Sequence, residues 1–124
     1  MEKNPIAVAH AAYQAYVEKD RAAMEALVAA DYRFTSPLDN GLDRATYFDR
    51  CWPNSAQFSS FDLVQAIGEG EHVFIVYEAQ TKTGKRFRNC EFHTVRDGKL
   101  VSTEVYFGWD LPHKAEPGGY VLRM

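Results

Sequence analysis

Apolar residues recur at helical spacing near the start of the chain and at alternate positions through most of the rest. Ile6, Ala9, Tyr13, Tyr16 and Val17 fall on one side of a 3.6-residue period. Asn4 followed by Pro5 marks where that helix starts. Asn accepts a hydrogen bond from a free first-turn amide, and Pro lacks the amide that would otherwise go unpaired. The helix should stop near Asp20, which can cap a second one over Arg21–Ala29 with Met24, Leu27 and Val28 inward. In DYRFTSP the period changes to two: Tyr32, Phe34 and Ser36 share a face, and Pro37 ends the strand. Asp39-Asn40-Gly41 has turn chemistry. A third helix is expected from about Asp43 to Trp52, cut by Pro53.

From there the period stays at two. Residues 60–68, 72–82, 86–96 and 99–108 read as four strands, joined at Gly68-Glu69-Gly70, Thr83-Gly84 and Asp97-Gly98. Asp-Gly between alternating runs predicts a two-residue type I′ hairpin, which needs positive φ at both central positions. Helices followed by an antiparallel meander predict an α+β domain with helices over one face of the sheet.

Alternation divides that sheet into two faces. With two-residue turns at both Thr83-Gly84 and Asp97-Gly98, Ile75, Tyr77, Cys90, Phe92, Val105 and Phe107 look toward the helices. Phe74, Val76, Asn89, Glu91, His93, Glu104 and Tyr106 then look away. A one-residue slip would exchange the faces. The outward face is mixed, apolar among polar, which suits a subunit interface.

The size of 124 residues suits one domain, residues 1–124, in which 111–124 form a C-terminal tail around Pro117-Gly118-Gly119. A hydrophobic content of 46% supports a sizeable core. The net charge of −3 and pI of about 5.8 argue against a nucleic-acid partner, which needs a basic patch. Lys82, Lys85, Arg86 and Arg88 cluster, but around an expected turn, as a solvated hairpin end would. No signal peptide is evident, and no apolar run reaches the roughly 18 residues of a membrane span. Cys51 and Cys90 are far apart without paired spacing, so both are expected reduced, in a cytoplasmic protein.

The segments AAYQAYVEKD, ALVAADYRFTSPLDN and TVRDGKLVSTEVYFG, in that order, resemble the nuclear transport factor 2-like superfamily, especially its SnoaL-like and ketosteroid-isomerase-like members. The likeness covers about residues 5–110. It implies a cone-shaped α+β barrel: three N-terminal helices on a curved, mostly antiparallel sheet wrapped around a pocket. It also implies a homodimer through the convex sheet face, and neither metal nor cofactor. The isomerase branch places an Asp base before the proline that ends the first strand, which here is Ser36. By spacing, its second acid falls at about Cys90, and its oxyanion tyrosine falls within about one position of Tyr13. A serine hydroxyl is a poor proton acceptor, so classical steroid isomerisation is not expected.

The expected pocket takes Phe34, Ser36, Tyr77, Cys90, Phe92 and Phe107 from the strands and Tyr13, Tyr16, Tyr47 and Trp52 from the helices. Each has an ordinary alternative: the aromatics as core, Ser36 as a hydroxyl bonded to its own turn. Tyr13, Asp39, Glu91 and His93 are the catalytic candidates, with turn formation a sufficient account of Asp39. Glu91, His93 and Glu104 on one face could hold a metal, but His10, His72 and His113 are not spaced to join them, and no metal is expected. Two functions fit. One is a module binding a small, largely apolar metabolite. The alternative is an isomerase or cyclase acting on a small carbonyl or polyketide-like compound.

Overall fold

The computed structural model describes residues 4–122. Three helices cover one face of a curved, open six-stranded sheet. Helices α1 (Pro5–Glu18) and α2 (Arg21–Leu27) precede strands β1 (Val28–Ser36) and β2 (Asp39–Leu42). Helix α3 (Arg44–Arg50) and a short 3-10 helix (Trp52–Gln57) lead into β3 (Phe58–Glu69), β4 (His72–Thr81), β5 (Arg86–Arg96) and β6 (Lys99–Leu111). Neighbouring strands run in the order β2-β1-β6-β5-β4-β3. β1 lies parallel to β6, and the other pairs are antiparallel. No helix among the described residues is long and apolar enough to cross a membrane.

Helix ends follow local chemistry. The Asn4 side chain accepts from the Ile6 amide at 2.8 Å, and Lys19 closes α1 in the left-handed conformation. Asp20 and Asp43 cap α2 and α3 through the amides of Ala23 and Thr46. α2 ends two residues before the Ala29 expected from sequence, because Val28 already sits beside Leu100 as the first residue of β1. Asp39-Asn40-Gly41 is not the turn its composition suggests. The chain reverses at Pro37-Leu38, and the three residues open β2, with Gly41 at φ +62. At the other end of the sheet the β3–β4 reversal is Gly70-Glu71, two residues past Gly68.

The face assignment of β5 is corrected by two one-residue departures. The β4–β5 connection is a four-residue loop, 82–85, with the Thr81 amide bonded to the Lys85 carbonyl at 2.8 Å across its base, rather than a two-residue turn. The Asp97-Gly98 turn is as expected, with φ of 54 and 76, but the β5–β6 ladder then shifts by one between Thr94 and Val95. Ile75 therefore stands opposite Glu91, and Glu91 opposite Val105; Phe74 stands opposite Phe92, and Phe92 opposite Glu104. Directly opposed residues share a face. Cys90 and Phe92 thus point to the convex side, while Asn89, Glu91, His93 and Val95 point under the helices. Neither departure has a strong local mark: a Gly in a longer loop and a bulge in a β-branched run look like their regular counterparts.

The concave side carries two apolar clusters. One joins α1, α2 and α3 to β1 and β6 through Val8, Met24, Tyr32, Tyr47, Phe48 and Leu100. The other joins α1 to β4 through Ala9, Tyr13, Val73, Ile75 and Tyr77. A cavity remains where the two clusters diverge.

Candidate functional site

That cavity has a volume of about 720 Å³. Tyr13, Tyr16, Phe34, Ser36, Tyr47, Tyr77 and Phe107 of the expected set border it. Trp52 lies behind the wall, buried, with its ring edge-on to Tyr16 at 5.6 Å. Cys90 and Phe92 leave the set with the corrected register, and Phe92 instead stacks on Phe74 at 4.5 Å on the convex face. Glu104, opposite Phe92, is on that face too, so Glu91, His93 and Glu104 do not converge. Among the described residues no three His, Cys, Asp or Glu side chains are placed to hold a metal.

The cavity floor is a polar group on an otherwise apolar surface. The Tyr13 hydroxyl, from the middle of α1, donates to Glu91 Oε1 at 2.8 Å. It also lies 2.9 Å from His93 Nε2, which is itself 3.2 Å from Glu91 Oε1. The Tyr77 hydroxyl donates to Glu91 Oε2 at 2.9 Å. His93 Nδ1 meets the Thr103 hydroxyl at 3.0 Å. One assignment of protons satisfies every contact. Thr103 donates to Nδ1, and Nε2–H donates toward the Tyr13 oxygen and Glu91, which leaves both phenol protons on the carboxylate. Tyr77 is turned the same way from behind. Asn89 Nδ2 donates to its oxygen at 3.2 Å, and Asn89 Oδ1 accepts the Gly108 amide at 3.0 Å.

The backbone makes that last contact available. The β5–β6 register shifts between Arg88 and Cys90, so Phe107 and Gly108 both face Asn89, and the spare Gly108 amide turns to the Asn89 side chain. A Cβ on Gly108 would lie 1.8 Å from the Arg88 carbonyl oxygen, so only glycine fits this bulge.

Burial, and then the charge of Glu91, pushes the Tyr13 and Tyr77 hydroxyls far above the ordinary tyrosine value. Burial does the same to Tyr16, Tyr32 and Tyr47, each also feeling Glu91. All five remain protonated donors. The Cys51 thiol on the cavity wall is pushed up to about 11, mainly by burial, and is inert as a nucleophile near neutral pH.

Ser36 and Asp39 sit at the rim and are engaged in structure. Ser36 Oγ accepts the Leu38 amide and donates to Asp39 Oδ2, both at 3.1 Å. Asp39 Oδ1 accepts from Arg50 Nε at 2.9 Å, tying the β1–β2 hairpin to the end of α3. The base position of the isomerase branch is therefore a turn hydroxyl. The position that the resemblance gives the second acid, near Cys90, faces the convex side, and the acid that faces the cavity is Glu91, one residue on. Asn89, Thr103 and Gly108 were not singled out from the sequence; of the three, only Gly108, a glycine inside a strand, carries a local signal.

The family model described as SnoaL-like domain matches residues 9–103. No curated protein matches the chain. Among solved structures, a candidate ketosteroid isomerase from Kribbella flavida DSM 17836 superposes with a TM-score of 0.74 at 15% identity, over 97% of this chain and 89% of that one. IdmH, a candidate polyketide cyclase from Streptomyces antibioticus, gives 0.70 at 20% identity, over 83% and 91%. An NTF2-like protein of unknown function from Cytophaga hutchinsonii gives 0.69 at 16%, over 87% and 93%. Likeness at these identities establishes the shared fold.

Proposed function

The chain belongs to the SnoaL-like domain family, and from that premise we propose that it binds a small, largely apolar metabolite in the cavity over Glu91. The observation that supports this most is the combination of a 720 Å³ apolar enclosure with one compact polar group at its base. Small-molecule sites have that form: apolar walls for affinity and a few fixed polar atoms for orientation. Every hydrogen-bonding atom named on the floor already has a protein partner, so the site is ordered before a ligand enters and loses little freedom on binding. A thermal-shift screen of neutral bicyclic and tricyclic compounds tests this. Hits should raise the melting temperature and move the His93 ring resonances. A diverse ring library without one such hit would defeat the proposal.

A second reading, an isomerase- or cyclase-type enzyme acting on a small carbonyl compound, is favoured by one feature. Glu91 is a carboxylate in an apolar cavity, its side chain 13% exposed, with both oxygens held by phenols. Suppose Glu91 takes a proton from a carbon next to a ligand carbonyl. The electron pair of the broken C–H bond moves into the carbonyl and makes an enolate. Glu91, now neutral, is a weaker acceptor for Tyr13 and Tyr77 at the moment the enolate oxygen becomes a stronger one. The phenol protons can shift to it, and Glu91 returns its proton at another carbon. Deuterium exchange from solvent into a pocket-binding ketone measures this step. It should fall by about 10²–10⁴ in Glu91→Gln, the usual worth of general base catalysis. Exchange unaffected by the substitution would leave the binding reading alone.

The proposed partner besides the ligand is a second copy of this chain, packed through the convex face. Phe74 and Tyr106 are 50% and 54% exposed there, and the Phe74–Phe92 stack lies among them. Cys90 and Phe92 stand on this side in place of Glu91 and His93, while Val95 and Leu100, expected here from the alternation, are buried in the core under the helices.

A further inference from the structure

The Glu91 group at the floor of the cavity offers an open acceptor and a negative charge, and the protons within that group are already committed. Both phenol protons point at Glu91, the Thr103 proton at His93 Nδ1, the Nε2 proton at Tyr13 and Glu91, and one Asn89 amide proton at Tyr77. A carboxylate oxygen has room for two donors. Glu91 Oε2 has one, from Tyr77, and the side chain is open to the cavity. A ligand atom that bonds Glu91 must therefore bring its own proton.

Charge points the same way. The Asp39 carboxylate at the rim is paired with Arg50. Lys85, in the exposed 82–85 loop, is the one lysine or arginine on the cavity wall among the described residues, and Asp110 stands on the wall with it. Inside, no lysine or arginine side chain among the described residues is paired with Glu91, whose close polar neighbours are the two phenols and His93. Around it stand Tyr13, Tyr16, Phe61 and Tyr77, with neighbouring ring centroids 5.1–5.8 Å apart. Aromatic faces carry negative potential and attract cations, most strongly where water is excluded. An anionic head group would meet the carboxylate and those faces without a counter-charge.

We propose that the cavity is a site for an apolar amine: a ring-sized hydrocarbon body against the aromatic walls, with a protonated nitrogen donating to Glu91 Oε2. This rests on the small-molecule pocket proposed above and names the class of ligand it takes. The ammonium replaces water at the open lone pair and supplies the cation the floor lacks. Carboxylates of the same shape are excluded.

The test is a set of three isosteric probes measured by isothermal titration calorimetry at neutral pH: 2-naphthylmethylamine, 2-naphthylmethanol and 2-naphthoate. A hydrogen bond to a charged pair is worth on the order of 1 kcal/mol more than a neutral one, so the amine should bind about fivefold or more tighter than the alcohol. The carboxylate should bind weakest. In Glu91→Gln, which keeps shape and removes charge, the amine should fall to the level of the alcohol. Amine and alcohol binding alike, the carboxylate matching or exceeding the amine, or an amine preference that survives Glu91→Gln would each overturn the proposal while leaving the pocket itself standing. Failure of all three probes to bind would overturn the pocket reading and the amine with it. The three-probe ranking is made on the wild-type protein, so it holds even if the variant is unstable.

Discussion

Tyr13 and Glu91 are 78 positions apart in sequence, and their side chains meet at 2.8 Å on the floor of the cavity. One comes from the helix that roofs the cavity and the other from the middle of the sheet. Their contact therefore fixes how α1 sits over β5, as well as how the carboxylate is presented.

That dual role predicts a measurable coupling. Tyr13→Phe removes a donor from a largely buried carboxylate and should cost about 1.5–3 kcal/mol, the range for hydrogen bonds to charged groups. Glu91→Gln alone should cost less, because Gln retains one acceptor. In a double-mutant cycle by urea unfolding the two effects should fall short of additive by about 0.5 kcal/mol or more, since they share one contact. Strict additivity would mean the contact does not contribute to stability.

Gly108→Ala should be among the more damaging single-methyl changes. The new Cβ would press on the Arg88 carbonyl at 1.8 Å, so backbone has to move. Overpacking of this kind costs about 1–3 kcal/mol. The displaced amide would also release Asn89 and, through it, Tyr77. Thermal unfolding reads the first effect and the Tyr77 side-chain resonances read the second. A variant as stable as wild type, with Tyr77 unmoved, would show that the bulge is not constrained as described.

Alkaline pH should destabilise the fold steeply. Tyr13, Tyr16, Tyr32, Tyr47 and Tyr77 all have hydroxyls raised above the ordinary 10.0 in the folded protein, mainly by burial. In the unfolded chain they lose protons as pH passes about 10, while the folded protein still holds them. The folded state then binds more protons, so stability falls with rising pH, at up to ~1.4 kcal/mol per pH unit for each such group. Cys51, raised from 9.0 to about 11, adds a loss between those values. Denaturant titrations across this range should show the decline, with tyrosinate absorbance of the buried group appearing only on unfolding. Ionisation of the full tyrosine complement in a protein that stays folded would contradict the burial.

Sedimentation at micromolar concentration should give a mass near twice 14.1 kDa. The convex face then buries on the order of 1,200 Å² or more in total, as specific interfaces do. Phe74→Asp should yield a folded monomer, because a charge in the centre of the stack cannot be desolvated without cost. A wild-type protein that runs as a monomer across that range would remove the dimer from the proposal.

Apart from β2 and the 3-10 helix, the sequence by itself determined the elements and their order, because those follow from short-range chemistry. Asn4, Asp20 and Asp43 each start a helix through a bond to a nearby amide, and Asp97-Gly98 makes a two-residue turn wherever it stands between strands. The family likeness and the cluster of aromatics around a pocket were legible for the same reason. The content of the pocket was decided only in three dimensions. Period-two alternation states which residues of a strand go together, and leaves open which side they take. A loop of four residues at 82–85 and a bulge near Val101 each moved β5 by one position against a neighbour, and so exchanged Cys90 and Phe92 for Glu91 and His93. Burial energy could not flag the exchange in advance. Glu91 and His93 are tolerable inside because Tyr13, Tyr77 and Thr103 arrive from α1, β4 and β6 to bond them, and that satisfaction exists only once the chain is folded.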